Sequence, residues 1–416
     1  MKLMGRLLFA LICITTSGHL YAQDKIGEIC KWDFDKDCAV ALTFDDWLTT
    51  HPTIVVPALQ ERGMTATFYV ITKDLNQNTI KQINSAAELG NEIGNHTITH
   101  PSSDVNIAKE ARPAKEQLDA ALVSQQVVTF DYPYGAFSNE TIDSVRNSGH
   151  IAARGVWPPL SYSYNFAPND DDYYNLRTIG VGAANGANGL STTAQFASYL
   201  TKAIKGGGFI TYLYHGVGKS SDYANIHKDS LYAQLDTLKS LSDKIWITTV
   251  AEAIKYHREA RCASLSGIEI GNVNPDIYII ALIDTLPDSV YNQPLTVKVY
   301  NQGETFCEVK QGDEICPILY QTNEYVMFRA IPDGGNISLK RGYWDINSVQ
   351  NIDNIATISV KHKTIFVTTD THASVVFYTH TGKILSKQTG TCSFSVTKSG
   401  SYIVTVNGLS KTIVIN

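Results

Sequence analysis

Between residues 25 and 260, short apolar runs alternate with amphipathic stretches, and the alternation stops at Cys262. The apolar runs cover 39–43, 65–70, 92–95, 127–132, 151–154, 209–214 and 245–248. Helical periodicity follows each strand or strand pair, over 53–62, 79–89, 108–123, 139–148, 192–205, 230–241 and 250–261. Parallel strands need a crossover that lies on one face of the sheet, so this alternation predicts a parallel sheet covered by helices. Seven units in succession predict a distorted (β/α)7 barrel rather than an open sheet. Beyond Cys262 the helical period is lost. Short β-rich runs such as 277–283, 295–300, 326–331, 364–367, 374–378 and 402–406 take over, with Asp333-Gly334-Gly335 and Thr381-Gly382-Lys383 as turns between them. That spacing predicts one or two all-β sandwich domains. The expected division is a leader at 1–23, a barrel at 24–261, an accessory sandwich at 262–357 and a small C-terminal sandwich at 358–416.

The leader carries Lys2 and Arg6 ahead of an apolar run at 7–15, then Leu20-Tyr21-Ala22-Gln23 as a cleavage region. This is the pattern of a secretory signal peptide, so a secreted, periplasmic or cell-surface location is expected. The run is shorter than the ~20 apolar residues a bilayer requires, which leaves no integral membrane span after the leader is removed. Removal takes Cys13 and leaves Cys30, Cys38, Cys262, Cys307, Cys316 and Cys392. An even count in an exported chain permits disulfides, with Cys30–Cys38 and Cys307–Cys316 as the local candidates. No CxxC spacing suggests a cysteine metal site. The net charge is −6 with no basic stripe, so no nucleic-acid partner is expected.

Four short segments carry the chemistry, and each closes an expected barrel strand, at the rim where barrel active sites are built. The first is Thr43-Phe44-Asp45-Asp46. Adjacent carboxylates ending an apolar strand are costly unless paired or used. The second is His96-Thr97-Ile98-Thr99-His100, preceded by Gly94-Asn95 and followed by Pro101. Two imidazoles with a carboxylate from elsewhere make a donor set of the catalytic-zinc kind. The third is Asp131-Tyr132-Pro133-Tyr134-Gly135, where Pro and Gly impose a turn. The fourth is Leu213-Tyr214-His215, whose histidine suits a general acid near neutral pH. Taken singly, a solvated Asp-Asp turn, two surface histidines, an aromatic turn and a structural histidine account for the same residues.

In order and in spacing, TFDD at 43–46, HTITH at 96–100, DYPYG at 131–135 and LYH at 213–215 resemble the motifs of the polysaccharide deacetylase family, carbohydrate esterase family four. The resemblance covers about residues 35–256, including WITTVAEAIKY at 246–256. It implies a metal held by Asp46, His96 and His100, with Zn2+ expected and Co2+ compatible. It implies Asp45 as general base, His215 as the acid that protonates the leaving group, and the Tyr134 backbone N–H as an oxyanion donor. The implied substrate is an acetylated polysaccharide or oligosaccharide, with N-acetylglucosamine polymers and O-acetylated xylan both fitting. Three departures follow. Asp131 stands where the motif usually begins with an arginine, and Arg154, ending the next strand, is the candidate to supply that charge. Trp47 replaces a common glycine and predicts a bulkier cleft wall. The partner of His215 is open, with Asp170, Asp171 and Asp172 as candidates. Tyr132, Tyr134, Trp47 and Trp157 are the expected substrate-lining aromatics, with Tyr162 and Tyr164 as further ones. Residues 374–416 resemble the β-sandwich sorting tails of secreted bacterial enzymes. A second reading, motivated by Asp131, is an inactive barrel that binds glycan.

Overall fold

The computed structural model describes residues 26–156, 164–166, 172–182, 190–267, 276–342, 356–361, 363–369, 374–379, 384–396, 400–406 and 409–415. The leader, Trp157, Tyr162, Asp170 and Asp171 lie outside the described residues. Among the described residues no helix is long and apolar enough to cross a membrane.

The barrel strands are β1 (Cys38–Phe44), β2 (Thr67–Val70), β3 (Glu92–Asn95), β4 (Thr129–Asp131), β5 (Ala152–Arg154), β6 (Ile179–Gly180), β7 (Phe209–Tyr214) and β8 (Ile245–Thr248). All the pairings among them are parallel. The order β5-β4-β3-β2-β1-β7-β6 forms the path, and β8 joins β1 beside it. One edge of β1 is therefore shared: β8 pairs with Cys38–Ala41, and β2 with Thr43 and Phe44. The ring closes where Arg154 bridges in parallel to Leu176, directly before Arg177-Thr178 lead into β6. The two-residue β6 is absent from the sequence expectation, because so short a segment carries no periodicity to read.

Every residue of β1 is buried, as a strand with the barrel interior on one face and helices on the other must be. The covering helices are α1 (Val56–Arg62), α2 (Gln77–Glu88), α3 (Asp104–Ala121), α4 (Asn139–Asn147), α5 (Thr193–Gly206), α6 (Lys228–Ser240) and α7 (Val250–Cys262). Two begin with reciprocal capping boxes, Thr192 with Gln195 and Thr249 with Glu252. Those pairs satisfy amide donors that a helix start otherwise leaves open.

The first sandwich has a four-stranded sheet that includes Leu295–Tyr300 and Tyr325–Ala330, and a five-stranded sheet that includes Ile277–Ile283 and Ile337–Arg341. Gly27–Ile29, ahead of the barrel in sequence, is the edge strand of the four-stranded sheet and pairs antiparallel with Leu295–Tyr300. Trp32 follows it, is fully buried, and packs against Phe166, Phe209, Trp246, Tyr256 and His257. Its indole N–H donates to the Gly207 carbonyl at 3.0 Å. The barrel floor and the sandwich thus share one hydrophobic cluster, running from Ala39 and Ile254 to Val297 and Phe328. The last segment forms three- and four-stranded sheets with a core of its own around Ile365, Val367, Phe377 and Val404.

The expected disulfides are not formed. Cys30, Cys38, Cys307 and Cys316 are all free, as are Cys262 and Cys392. Cys30 and Cys38 are buried at separate positions flanking Trp32, and act there as small apolar side chains.

Candidate metal centre and active site

All four motif segments meet at the C-terminal mouth of the barrel. Strand β1 ends at Phe44, and Asp46 and Trp47 then take left-handed backbone angles, φ 71° and 50°. That reversal breaks the in–out alternation of the strand and lets both Asp45 and Asp46 face the mouth. Thr97 (φ 65°), His100 (φ 57°) and Tyr134 (φ 57°) are held in the same region. Such angles cost non-glycine residues roughly 1–3 kcal/mol each, and their concentration here marks the mouth as functional.

The carboxylate of Asp46 and the imidazoles of His96 and His100 bring one donor atom each within 4.8 Å of one another. His96 Nε2 stands 3.6 Å from Asp46 Oδ1. Two ligands about 2.0–2.1 Å from one tetrahedral cation lie roughly 3.4 Å apart, so this spacing fits a divalent metal. A second grouping, Asp45 with His96 and Asp131, also has its donor atoms within reach of one another. It is unsuited to a cation, because Arg154 already occupies it: the guanidinium Nη2 contacts Asp45 Oδ1 and lies 2.8 Å from Asp131 Oδ2.

The His96–His100 loop hangs on α3 and on a buried histidine that the sequence reading missed. Glu110 of α3 accepts the amides of Ile98 and Thr99 at 2.9 and 2.8 Å. Asn95 accepts the Thr97 amide at 2.9 Å and donates to Ala111 O and to His150 Nε2. His150 must then carry its proton on Nδ1, 3.2 Å from the Val145 carbonyl. An Asn directly before the loop was the available signal, since Asn side chains commonly tie their own backbone two residues on. Gly94 is required beside it: a Cβ there would lie 2.5 Å from the ring of Tyr69, which stacks under Arg154.

Burial holds His150 down at about 3, well below an ordinary histidine. The unfolded chain, at the usual ~6.5, then binds the extra proton first, so this contribution to stability is present above pH ~6.5 and is lost as pH falls below it. His150→Gln removes the term. Urea melts at pH 7 and pH 5 should show the gap between wild type and variant shrinking by up to ~1.4 kcal/mol per pH unit. A gap that does not change with pH would contradict the assignment of a buried, neutral His150.

The acid–base groups are arranged around Asp45. Burial alone would raise its carboxyl, but Arg154, His215 and His96 override it and hold it at about 2. Burial, then the Asp45 charge, raises Asp46 to about 7. Burial likewise raises Asp131 well above the carboxylate range against the pull of Arg154, and lowers His96 to about 3. His100 and His215 are also lowered, chiefly by burial. Three carboxyl groups, Asp45, Asp46 and Asp131, face the one guanidinium of Arg154, and a dication at the mouth would favour their ionised forms.

His215 Nε2 lies 3.7 Å from Asp45 Oδ2, which makes Asp45 its nearest charge partner. Among the Asp170–Asp172 candidates, only Asp172 is described, and it accepts the Tyr174 amide instead. A second residue missed in the sequence, His51, sits beneath His215. Its Nδ1 accepts the Leu48 amide at 3.2 Å, which leaves Nε2 to donate to the His215 carbonyl at 2.8 Å.

The expected aromatics divide. Tyr134 is 64% exposed, with its ring edge-on to His100 at 4.5 Å, so it stands at the rim beside the ligands. Tyr132 is fully buried and its hydroxyl donates to the Tyr174 carbonyl, so it packs beneath the turn and does not line the cleft. Trp47 is turned inward, edge-on to Phe68 at 5.1 Å, and braces the strand ends. Tyr164 packs on Gly206 and Gly208, away from the mouth. A cleft of about 880 Å³ opens beyond Tyr134, bounded by Ser103, Asp104, Phe137, Asn175 and Arg177.

Residues 35–153 match the family model described as polysaccharide deacetylase. A gellan lyase of Bacillus sp is 24% identical over 348 residues, 77% of this chain and 13% of its own length. A chitooligosaccharide deacetylase of Sinorhizobium fredii (strain NBRC 101917 / NGR234) is 29% identical over 135 residues, 30% of this chain and 60% of its own. YxkH of Bacillus subtilis (strain 168) is 29% identical over 169 residues, 39% of this chain and 56% of its own. The chain therefore spans less than two thirds of each of these relatives. The solved family 4 acetyl xylan esterase from Clostridium thermocellum, in complex with a cobalt ion, aligns over 52% of this chain and 89% of its own at 19% identity and TM-score 0.36.

Proposed function

We propose, from a segment 35–153 that belongs to the polysaccharide deacetylase family, that this chain is a divalent-metal-dependent hydrolase removing N- or O-acetyl groups from a polysaccharide. The observation that carries the reading is the convergence of Asp46, His96 and His100 donor atoms within 4.8 Å, beside a buried Asp45–Arg154 pair at the barrel mouth. Two imidazoles and a carboxylate suit Zn2+ or Co2+. A cation bound there supplies Lewis acidity toward a water and an acetyl carbonyl.

The rest of the chemistry falls to the chain. Asp45, ionised across the working range because Arg154 faces it, takes the proton from the attacking water. Arg154 keeps that carboxylate in place, buried on every side. The Tyr134 amide, at the strained turn beside His100, donates to the developing oxyanion, an interaction whose loss commonly costs ~3–4 kcal/mol of barrier. His215, poised over Asp45 and exposed by a small margin, delivers a proton to the leaving amine or hydroxyl. The 880 Å³ cleft that begins at Gly135, the residue after Tyr134, has the size to take sugar units. The alternative of an inactive glycan-binding barrel rested on the missing arginine at position 131. The contact of Arg154 with Asp45 supports the active reading, since it gives Asp45 the cationic partner that position 131 lacks. The leader sequence supports action outside the cytoplasm.

The test is acetate release from acetylated xylan and from N-acetylglucosamine oligomers, with Zn2+ or Co2+ and with a chelator. Release from at least one glycan, abolished by chelation and restored by either cation, is expected. No release from any acetylated glycan by cation-loaded protein, or release indifferent to chelation, overturns the reading. His215→Ala should lower kcat by roughly 10²–10⁴ with little change in KM, the size of a general-acid contribution.

A further inference from the structure

Asp131 and Arg154 are direct neighbours on adjacent parallel strands, in register as Cα partners. Both are fully buried, and both face the mouth at the level of His96. The Asp131 side chain faces three groups, His96, Arg154 and the carboxyl of Asp45. Its Oδ2 is 3.1 Å from His96 Nδ1 and 2.8 Å from Arg154 Nη2. The other ring nitrogen of His96 is the one turned toward Asp46. An imidazole that presents one nitrogen to a cation must carry its proton on the other, and an acceptor there fixes the tautomer and the ring plane.

We infer that Asp131 is a positioning residue: with a cation bound, its side chain shares the Nδ1–H of His96 with its own main-chain carbonyl, keeps Nε2 unprotonated toward the cation, and lies against the same guanidinium that holds Asp45. The arrangement links the metal side of the site to the base side through one side chain. Arg154 cannot move without releasing both Asp45 and the carboxylate behind His96. The bulk of Tyr69, stacked under Arg154 at 5.0 Å, closes the remaining side. The inference rests on the reading that Asp46, His96 and His100 hold a cation.

One acceptor competes. The Asp131 main-chain carbonyl, 3.1 Å from His96 Nδ1, has the hydrogen-bond geometry in this structure, whereas the carboxyl oxygen at the same distance lies off the N–H line. Asp131→Asn keeps that carbonyl and the side-chain shape while replacing a carboxyl oxygen by an amide NH2, so it separates the two. The measurement is calorimetric titration of Zn2+ and Co2+ into metal-free wild type and variant, with the visible spectrum of the cobalt form and the Tm of the metal-free protein recorded alongside. Loss of such a supporting carboxylate typically weakens metal affinity 10–100-fold. That weakening, with an altered cobalt spectrum and a metal-free Tm close to wild type, is the expected result. Equal affinity and an unchanged spectrum would overturn the inference, because the carbonyl alone would then suffice. Should Asp131→Asn fail to fold, the exchange Asp131→Arg with Arg154→Asp keeps the buried pair neutral and in register while moving the carboxylate away from His96. The same 10–100-fold loss is expected there, and undiminished affinity refutes the role. Wild type that binds cation without releasing acetate sinks the deacetylase reading and leaves this inference standing. Wild type and Asp131→Asn that bind alike sink this inference alone.

Discussion

His96→Ala and Asp46→Ala should each abolish measurable Zn2+ or Co2+ binding and lower acetate release by roughly 10³-fold or more. Either change leaves two protein donors where three converge, and a catalytic site of this donor class uses three with one position open. The Lewis-acid contribution is worth several kcal/mol of barrier, which corresponds to about three or more powers of ten in rate. Titration calorimetry reads the binding and an acetate assay reads the rate. Near-wild-type acetate release by both variants would mean that the reaction does not pass through this cluster. The two variants should differ in stability. Ala at 96 leaves Asp131 and Arg154 paired with each other in the interior, whereas Asp46 is already a quarter exposed and its loss disturbs less.

Trp32→Ala should lower unfolding stability by ~3–5 kcal/mol, the range for truncating a large buried aromatic. The side chain is fully enclosed and touches residues from the barrel floor, from α7 and from the segment at Phe166. Its loss leaves a cavity and also strands the Gly207 carbonyl, which receives the indole proton. Denaturant melts followed by tryptophan-independent far-UV signal measure it. A change under ~1 kcal/mol would show that the cluster closes over the gap.

Most of the architecture could be read from the chain because the signal was long and repeated. The runs that gave β1, β3, β7 and β8 differ from the observed strands by at most a residue or two, since apolar content and flanking turns mark both ends. What escaped was set by single contacts. The two-residue strand Ile179–Gly180 exists because it fills the gap between Arg154's neighbour Leu176 and Tyr212. Gly27–Ile29 is three residues long, and its partner lies some 270 positions away. The convergence of Asp46, His96 and His100 was legible because these residue types and spacings are rare together. The partner of Asp45 was legible as a missing charge with Arg154 as its candidate, and Arg154 reaches Asp45 because β4 and β5 run in register. Tyr132 and Trp47 were misplaced for one reason: an aromatic beside a motif reads the same in sequence whether its ring faces the mouth or the interior, and only packing against Phe137 or Phe68 decides. His51 and His150 were invisible for a similar reason, being ordinary polar letters whose roles come from distant carbonyl and amide partners.

The strand Gly27–Ile29 has a consequence for how such a protein can be divided. It leaves the sandwich, enters the barrel through Trp32, and the chain returns to the sandwich after α7, where the Tyr256 hydroxyl ties Cys30 to Thr296. A fragment cut at residue 261 would keep an edge ribbon with nothing to lie against, and the sandwich left behind would lose its own border strand. Replacing the accessory module on this barrel would therefore have to exchange Gly27–Ile29 and the segment after α7 together, because one sheet draws its strands from both ends of the barrel.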